Sequence, residues 1–327
     1  MAMKRAGILS LVAATGVLVL GTASPVANAL EIVEVAIGLQ VSFPRDPAPA
    51  PDGSVWFVAM TSDKVIRFDP GTKAFKAYDL ASGARPHGIV VDREGDPWIT
   101  EMGGNRITRL HAALGKFTSY GLETTGNGPH TPALDAQGNL WFTMQHSGKV
   151  GKVDRQSGKI TEYRVPTSGS GVYGITVDQK GIVWFAELSA GKLGRLDPAT
   201  GKITEYEPPT KESGVRRVAV TPDGIVWFTQ YKTGGLGRFD PAMGQFKEYP
   251  GPSGYRGGPY AIAVDGTGRV VYNEIETDTV VRFDPKTERA EVAKSPTRGT
   301  AIRKMATDAQ GRVWYVGSSA KTIGYIK

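Results

Sequence analysis

Cysteine is absent from the 327 residues, which excludes disulfides, a thiolate metal centre, a c-type haem attachment and a lipid anchor through sulfur. Histidine is scarce, with four residues: His87, His111, His130 and His146. No run of Lys or Arg exceeds two residues and no basic helix can be read, so the formal charge of +7 makes no case for nucleic acid. The chain also lacks a P-loop and a Ser-His-Asp pattern. The apolar stretch Ala6 to Leu20 is too short and too rich in Gly and Ala for a comfortable membrane span. Lys4 and Arg5 precede it and Ala27-Asn28-Ala29 follows, so residues 1–29 read as a signal peptide cut before Leu30. That reading predicts a periplasmic or secreted protein with no membrane span after cleavage. Without the segment, 37 Lys and Arg face 32 Asp and Glu, a formal charge of +5.

What the chain has in abundance is turn chemistry, with 42 Gly and 21 Pro and little helical patterning. A turn, D-x-x-G in five of its seven copies, recurs and ends at Gly53, Gly95, Gly138, Gly181, Gly224, Gly268 and Gly311, intervals of 42 to 44 residues. Three residues beyond each glycine stand Trp56, Trp98, Trp141, Trp184, Trp227, Val271 and Trp314, which accounts for all six tryptophans.

Each unit reads as four short strands. In the fourth unit, Gly174–Asp178 alternates as an inner strand and Ile182–Ala186 follows the Gly181 turn. Lys192–Leu196 comes next, then an Asp-Pro-x-Thr-Gly turn, then Ile203–Tyr206. Four antiparallel strands in about 43 residues match a propeller blade. The recurring Trp is expected between adjacent blades, because one sheet alone cannot bury it. The last unit ends after three strands, and Glu31–Val35 resembles the outer-strand text Lys159–Tyr163. The fold class is therefore all-β: a seven-bladed β-propeller over residues 30–327, closed by an N-terminal strand and expected to be one domain and a monomer.

Strand geometry also locates a candidate site. The position eight before each of these turn glycines reads Arg45, His87, His130, Tyr173, Arg216, Tyr260 and Arg303. A structural position in a repeat is monotonous, as the Trp position is. This one varies and is always polar, which points to a ligand site at one channel mouth. At the end of the second strand, Glu101, Glu187 and Glu274 are expected either to face the same mouth or to pair with neighbouring arginines. His111 stands in the place of a turn aspartate, and His146 lies in a loop on the mouth side. His87 and His130 occupy equivalent sites in consecutive blades, and a neutral imidazole is a natural general base at neutral pH.

The repeat text Tyr173-Gly174-Ile175-Thr176, Trp184-Phe185-Ala186-Glu187, Lys192-Leu193-Gly194-Arg195 and Ile203-Thr204-Glu205-Tyr206 resembles the virginiamycin B (streptogramin B) lyases, across residues 30–327. The resemblance implies a magnesium-dependent elimination that opens a cyclic depsipeptide antibiotic. In that chemistry a histidine removes an α-proton and the ester carboxylate leaves from the β-carbon. It also implies two Pro-His pairs in consecutive blades. Arg85-Pro86-His87-Gly88 matches the substrate-contacting one and Gly128-Pro129-His130-Thr131 the one carrying the base. Where the resemblance implies magnesium-binding carboxylates, this chain has Gly128 and Gln145. Glu101 and Glu187 are then the metal candidates that remain.

Arg45, Arg216 and Arg303 favour an anionic small-molecule ligand, which Tyr173 and Tyr260 would help bind. Two rival functions stay open: a non-catalytic propeller binding an anionic cell-envelope component or a partner protein, and a metal-dependent lactonase.

Overall fold

The computed structural model describes residues 30–327 except 124, and the expected signal peptide, residues 1–29, lies outside the described residues. The described chain forms seven four-stranded antiparallel sheets. Each sheet runs in chain order from an inner to an outer strand, except the last. There the strand Ile32–Ala36 pairs with Thr322–Ile326, so the N-terminal strand completes the seventh blade, as expected. Glu34 adds a side-chain bond to this closure by accepting from the Tyr315 hydroxyl at 2.8 Å. No helix among the described residues is long and apolar enough to cross a membrane.

The tryptophans hold neighbouring blades together. All six are at most 1% exposed. Trp141 packs with Val172, Val183 and Phe185 of the next blade, and Trp314 with Phe57 and Phe68 across the ring closure. Burying each such side chain contributes roughly 2–3 kcal/mol. The turn aspartate supplies the indole acceptor: Trp98 donates to Asp92, Trp141 to Asp135, Trp184 to Asp178 and Trp314 to Asp308, at 2.7–3.0 Å. Thr221 takes that part for Trp227 at 3.3 Å. The D-x-x-G text therefore records a buried hydrogen bond as well as a turn.

The inner strands line the channel. They begin at Pro44, Pro86, Pro129, Val172, Val215, Pro259 and Ile302. The residue before each has a positive φ: Phe43, Arg85, Gly128, Gly171, Gly214, Gly258 and Ala301. This kink turns the next residue but one toward the axis, and that residue is always the variable polar one. Every inner strand then carries a register shift against its neighbour, as between Val215 and Val218. Such a bulge lets two consecutive side chains turn toward the axis, which regular alternation forbids.

Candidate functional site

At one mouth the seven polar side chains converge on a cavity of about 440 Å³. Arg45, His87, His130, Tyr173, Arg216, Tyr260 and Arg303 all line it, with Phe43, Arg85, Gln145 and four others. The structure thus brings together every residue that the repeat position singled out.

The two histidines are in direct contact. Their rings stack with centroids 3.5 Å apart and planes inclined by 37°. His130 in turn stacks against Tyr173 at 4.1 Å. This proximity depends on Gly88, because a Cβ there would lie 2.5 Å from the His130 carbonyl oxygen. The His87 Nδ1 meets that same oxygen at 3.2 Å. Burial, then the positive charge of Arg45, the His130 ring and Arg217, holds the His87 pKa well below the usual imidazole value. Burial followed by Arg217, Arg45 and Arg216 does the same to His130. Both rings are neutral at pH 7.

The opposite wall holds a tyrosine–arginine cluster. The Tyr173 and Tyr260 hydroxyls share a short hydrogen bond. Arg216 donates to the Tyr173 oxygen at 3.1 Å and Arg303 to the Tyr260 oxygen at 3.3 Å. Arg216 also lies 3.7 Å from the Tyr260 ring centroid and 4.3 Å from that of Tyr231. Burial pushes both phenols up. For Tyr260 the guanidiniums of Arg216, Arg217, Arg45 and Arg303 outweigh burial and bring its pKa down to about 8, whereas Tyr173 remains raised. Once Tyr260 ionises its oxygen can only accept, and Tyr173 is then the donor between them.

The mouth is electropositive, with Asp46 as the one carboxylate beside its arginines among the described residues. Among the described residues, Arg216 and Arg303 have no carboxylate partner, and Arg45 reaches only Asp46, at 3.4 Å. Buried guanidinium nitrogens of all three (Nη2 of Arg45, Nε of Arg216 and Nε of Arg303) lack a hydrogen-bond acceptor.

A second polar layer, which the sequence reading missed, lies beneath. Arg217 donates to the Thr131 hydroxyl at 2.8 Å and to the Arg303 carbonyl at 3.2 Å, and stands 3.8 Å from Asp46. Lys304 donates to the Ile89 carbonyl at 2.8 Å, and burial brings its pKa down to about 8. Beyond this layer the channel opens into a cavity of about 420 Å³ walled by residues such as Pro47, Ile89, Val177 and Ala263. Also missed were Thr100, Thr143, Thr229 and Asn273, two residues past the Trp position. Each accepts from an inner-strand N–H of its own blade and donates to an inner-strand carbonyl of the next. For Thr100 these are Gly88 and His130, at 2.8 and 2.6 Å. A polar residue inside an apolar buried strand was the available signal.

The three glutamates are elsewhere. The second strand is one removed from the axis, so its side chains enter the layers between blades rather than the channel. Glu101 is 1% exposed and paired with Arg106 at 2.6 Å. Glu274 accepts from the Ser253 N–H at 3.1 Å. Glu187 is fully buried with both carboxylate oxygens unpartnered. Burial and the charge of Glu205 push its pKa up to about 8. None of the three lines the mouth cavity. His111 bonds Asp96 at 3.2 Å and Thr118 at 3.0 Å.

These residues do not fit a magnesium ion. Gly128, where the resemblance implies a carboxylate, has φ +61°, and a Cβ there would lie 2.5 Å from the His146 Nδ1. Gln145 reaches the cavity but is uncharged. Among the described residues no group of three or more His, Asp or Glu side chains is placed to hold a metal. Magnesium wants anionic oxygen ligands, and this mouth offers guanidinium, imidazole and phenol.

Fold and site together define a seven-bladed propeller with a cationic, histidine-bearing channel mouth. The virginiamycin B lyase family model matches residues 24–138 and 114–327, and the chain belongs to that family. A streptogramin B lyase structure is 26% identical, with a TM-score of 0.83 over 91% of this chain and 97% of that one. A catalytically inactive histidine-to-alanine variant of virginiamycin B lyase from Staphylococcus aureus, with quinupristin, is 23% identical, with a TM-score of 0.84 over 91% and 99%. The extracellular domain of a putative hybrid two-component system from B. thetaiotaomicron shares the fold. It is 20% identical, with a TM-score of 0.71 over 91% of this chain and 42% of that one. No curated protein matches the chain.

Proposed function

We propose that the mouth is the active site of a carbon–oxygen lyase that opens a cyclic depsipeptide, or another ester-containing small molecule, by elimination. The observation that carries this reading is the pair of neutral imidazoles in contact, sharing one cavity with an arginine cluster in which Arg216 and Arg303 have no carboxylate partner among the described residues. A neutral imidazole takes the proton α to the carbonyl, the electron pair forms a C=C bond, and the ester carboxylate leaves from the β-carbon. Negative charge grows on that leaving group, and Arg45, Arg216 and Arg303 are the groups that meet it. Tyr173 and Tyr260 hold two of these guanidiniums in place. Membership of the family and a structural relative with quinupristin support the depsipeptide class. No step in this reading passes through a metal. The sequence of the N-terminal segment supports action in the periplasm or medium. Incubation of the protein with a streptogramin B and a lactone panel, with magnesium and with EDTA, tests the proposal. Ring opening is expected in both conditions and is lost in His87→Ala and His130→Ala.

The same arginine cluster favours one second reading, a non-catalytic module that binds an anion outside the cytoplasm. Tight binding of an anionic ligand with no turnover of any ester would select it. A lactonase finds less support, since the mouth cavity is lined by no carboxylate.

A further inference from the structure

The lower cavity of the channel, about 420 Å³, takes no part in the site at the mouth. The starts of the inner strands line the mouth, whereas their later residues line this cavity, from 47–49 in the first blade to 304–307 in the seventh. Its width has a cause in the sequence. The repeat position five before each turn glycine carries Ala48, Ala133, Ala219, Ala263 and Ala306, with Val90 and Thr176 in the other blades. All of these line the cavity and none is larger than valine, so the axis stays open. Val91, Leu134 and Val177 add apolar wall, and no Asp or Glu among the described residues lines it.

The inner end of this cavity is cationic. Arg217 and Lys304 are its charged lining residues. Arg217 is 4% exposed, and its Nη2 has no hydrogen-bond acceptor, because Asp46 stands 3.8 Å away. Lys304 is half-buried and donates to the Ile89 carbonyl at 2.8 Å, which leaves donors of its ammonium to spare. The charged groups facing Lys304 are Asp46, Arg217 and Arg45, and burial together with the two guanidiniums brings its pKa down to about 8. At pH 7 it is still mostly charged. Asp46 cannot neutralise this end alone, since Arg45 also reaches it, at 3.4 Å.

We infer that the lower cavity is a second ligand site, for a monocarboxylate with an aliphatic body. The carboxylate meets Arg217 and Lys304, and the hydrocarbon lies along the alanine-lined wall. A neutral hydrocarbon would leave both cations without an acceptor, and an inorganic anion would leave the apolar wall wet. The site stands apart from the reaction proposed at the mouth and does not depend on it.

Calorimetry of the full chain with sodium octanoate tests this, with octanol, acetate and inorganic phosphate as controls. Octanoate should bind roughly tenfold or more tightly than any control. Lys304→Met keeps the length, removes the charge and should weaken octanoate roughly 10- to 100-fold. Ala306→Leu fills the cavity with both cations in place and should weaken it comparably, which keeps the test open should Lys304→Met fail to fold. Arg303→Gln, at the mouth, should bind octanoate as the native protein does. At pH 8 binding should take up roughly half a proton, read from the dependence of the heat on the buffer, and Lys304→Met should abolish this uptake. Octanol or phosphate binding as tightly as octanoate, or affinity unchanged in both Lys304→Met and Ala306→Leu, overturns the site. Affinity lost in Arg303→Gln but kept in Lys304→Met puts the anion at the mouth and overturns it too. None of these outcomes depends on turnover, so the elimination reading stands or falls separately.

Discussion

The Thr100 hydroxyl of the second blade donates to the His130 main-chain oxygen of the third, 2.6 Å away, while accepting the N–H of Gly88. That carbonyl also takes the His87 Nδ1, so one buried threonine fixes the spacing of both imidazoles. Thr100→Val keeps the shape and removes both bonds. It should cost about 1–3 kcal/mol of stability, read by urea unfolding, and lower kcat more than it raises KM. Unchanged kcat would mean that the histidines are positioned without it.

Glu187 makes stability depend on pH in an unusual direction. Its folded pKa is about 8 and its ordinary value 4.5, so between these values the folded protein retains a proton that the unfolded chain has lost. This group therefore contributes a loss of stability as pH rises through that window, with an upper bound on the order of 5 kcal/mol. Glu187→Gln should abolish the loss and leave the variant more stable than the native protein at pH 8. Parallel stability curves from pH 5 to 8 would contradict the assignment.

Among the 12 tyrosines, Tyr260 should ionise first, near pH 8. Phenolate absorbance followed against pH should show one early group, absent in Tyr260→Phe. In Arg216→Gln, with the first-named cation removed, that group should move to higher pH.

Arg303→Gln keeps a donor to the Tyr260 oxygen and removes one positive charge from the mouth. Affinity for a ring-opened depsipeptide with a free carboxylate should fall roughly 10- to 100-fold by calorimetry. The difference should shrink with added salt. Equal affinities would place the anion elsewhere.

The blades, their number and their closure could be read from the chain because the same physical need, a Trp buried between sheets, recurs at one position. Trp56 to Trp314 counted the ring, and Glu31–Val35 completed it. The mouth was legible for the opposite reason: around a conserved architecture, Arg45, His87 and Tyr173 varied where a scaffold would not. Illegible were features that break strand alternation. The bulge between Val215 and Val218 turns Arg217 toward the channel beside Arg216, where simple alternation would send it between blades. Asp46, Thr131 and Lys304 were hidden in the same way. Glu187 misled because hairpin geometry places its backbone near the mouth while its side chain points into the layer between blades, whereas Glu101 takes the other expected course and pairs with Arg106.

The central claim is that the imidazole pair performs an elimination, and the mass of the product tests it most directly. Elimination opens the ring without consuming water, so the product should be isomeric with the substrate, should absorb as a new conjugated alkene, and should fail to form with His87→Ala. A product heavier by one water, or one formed equally well without His87, would contradict the account.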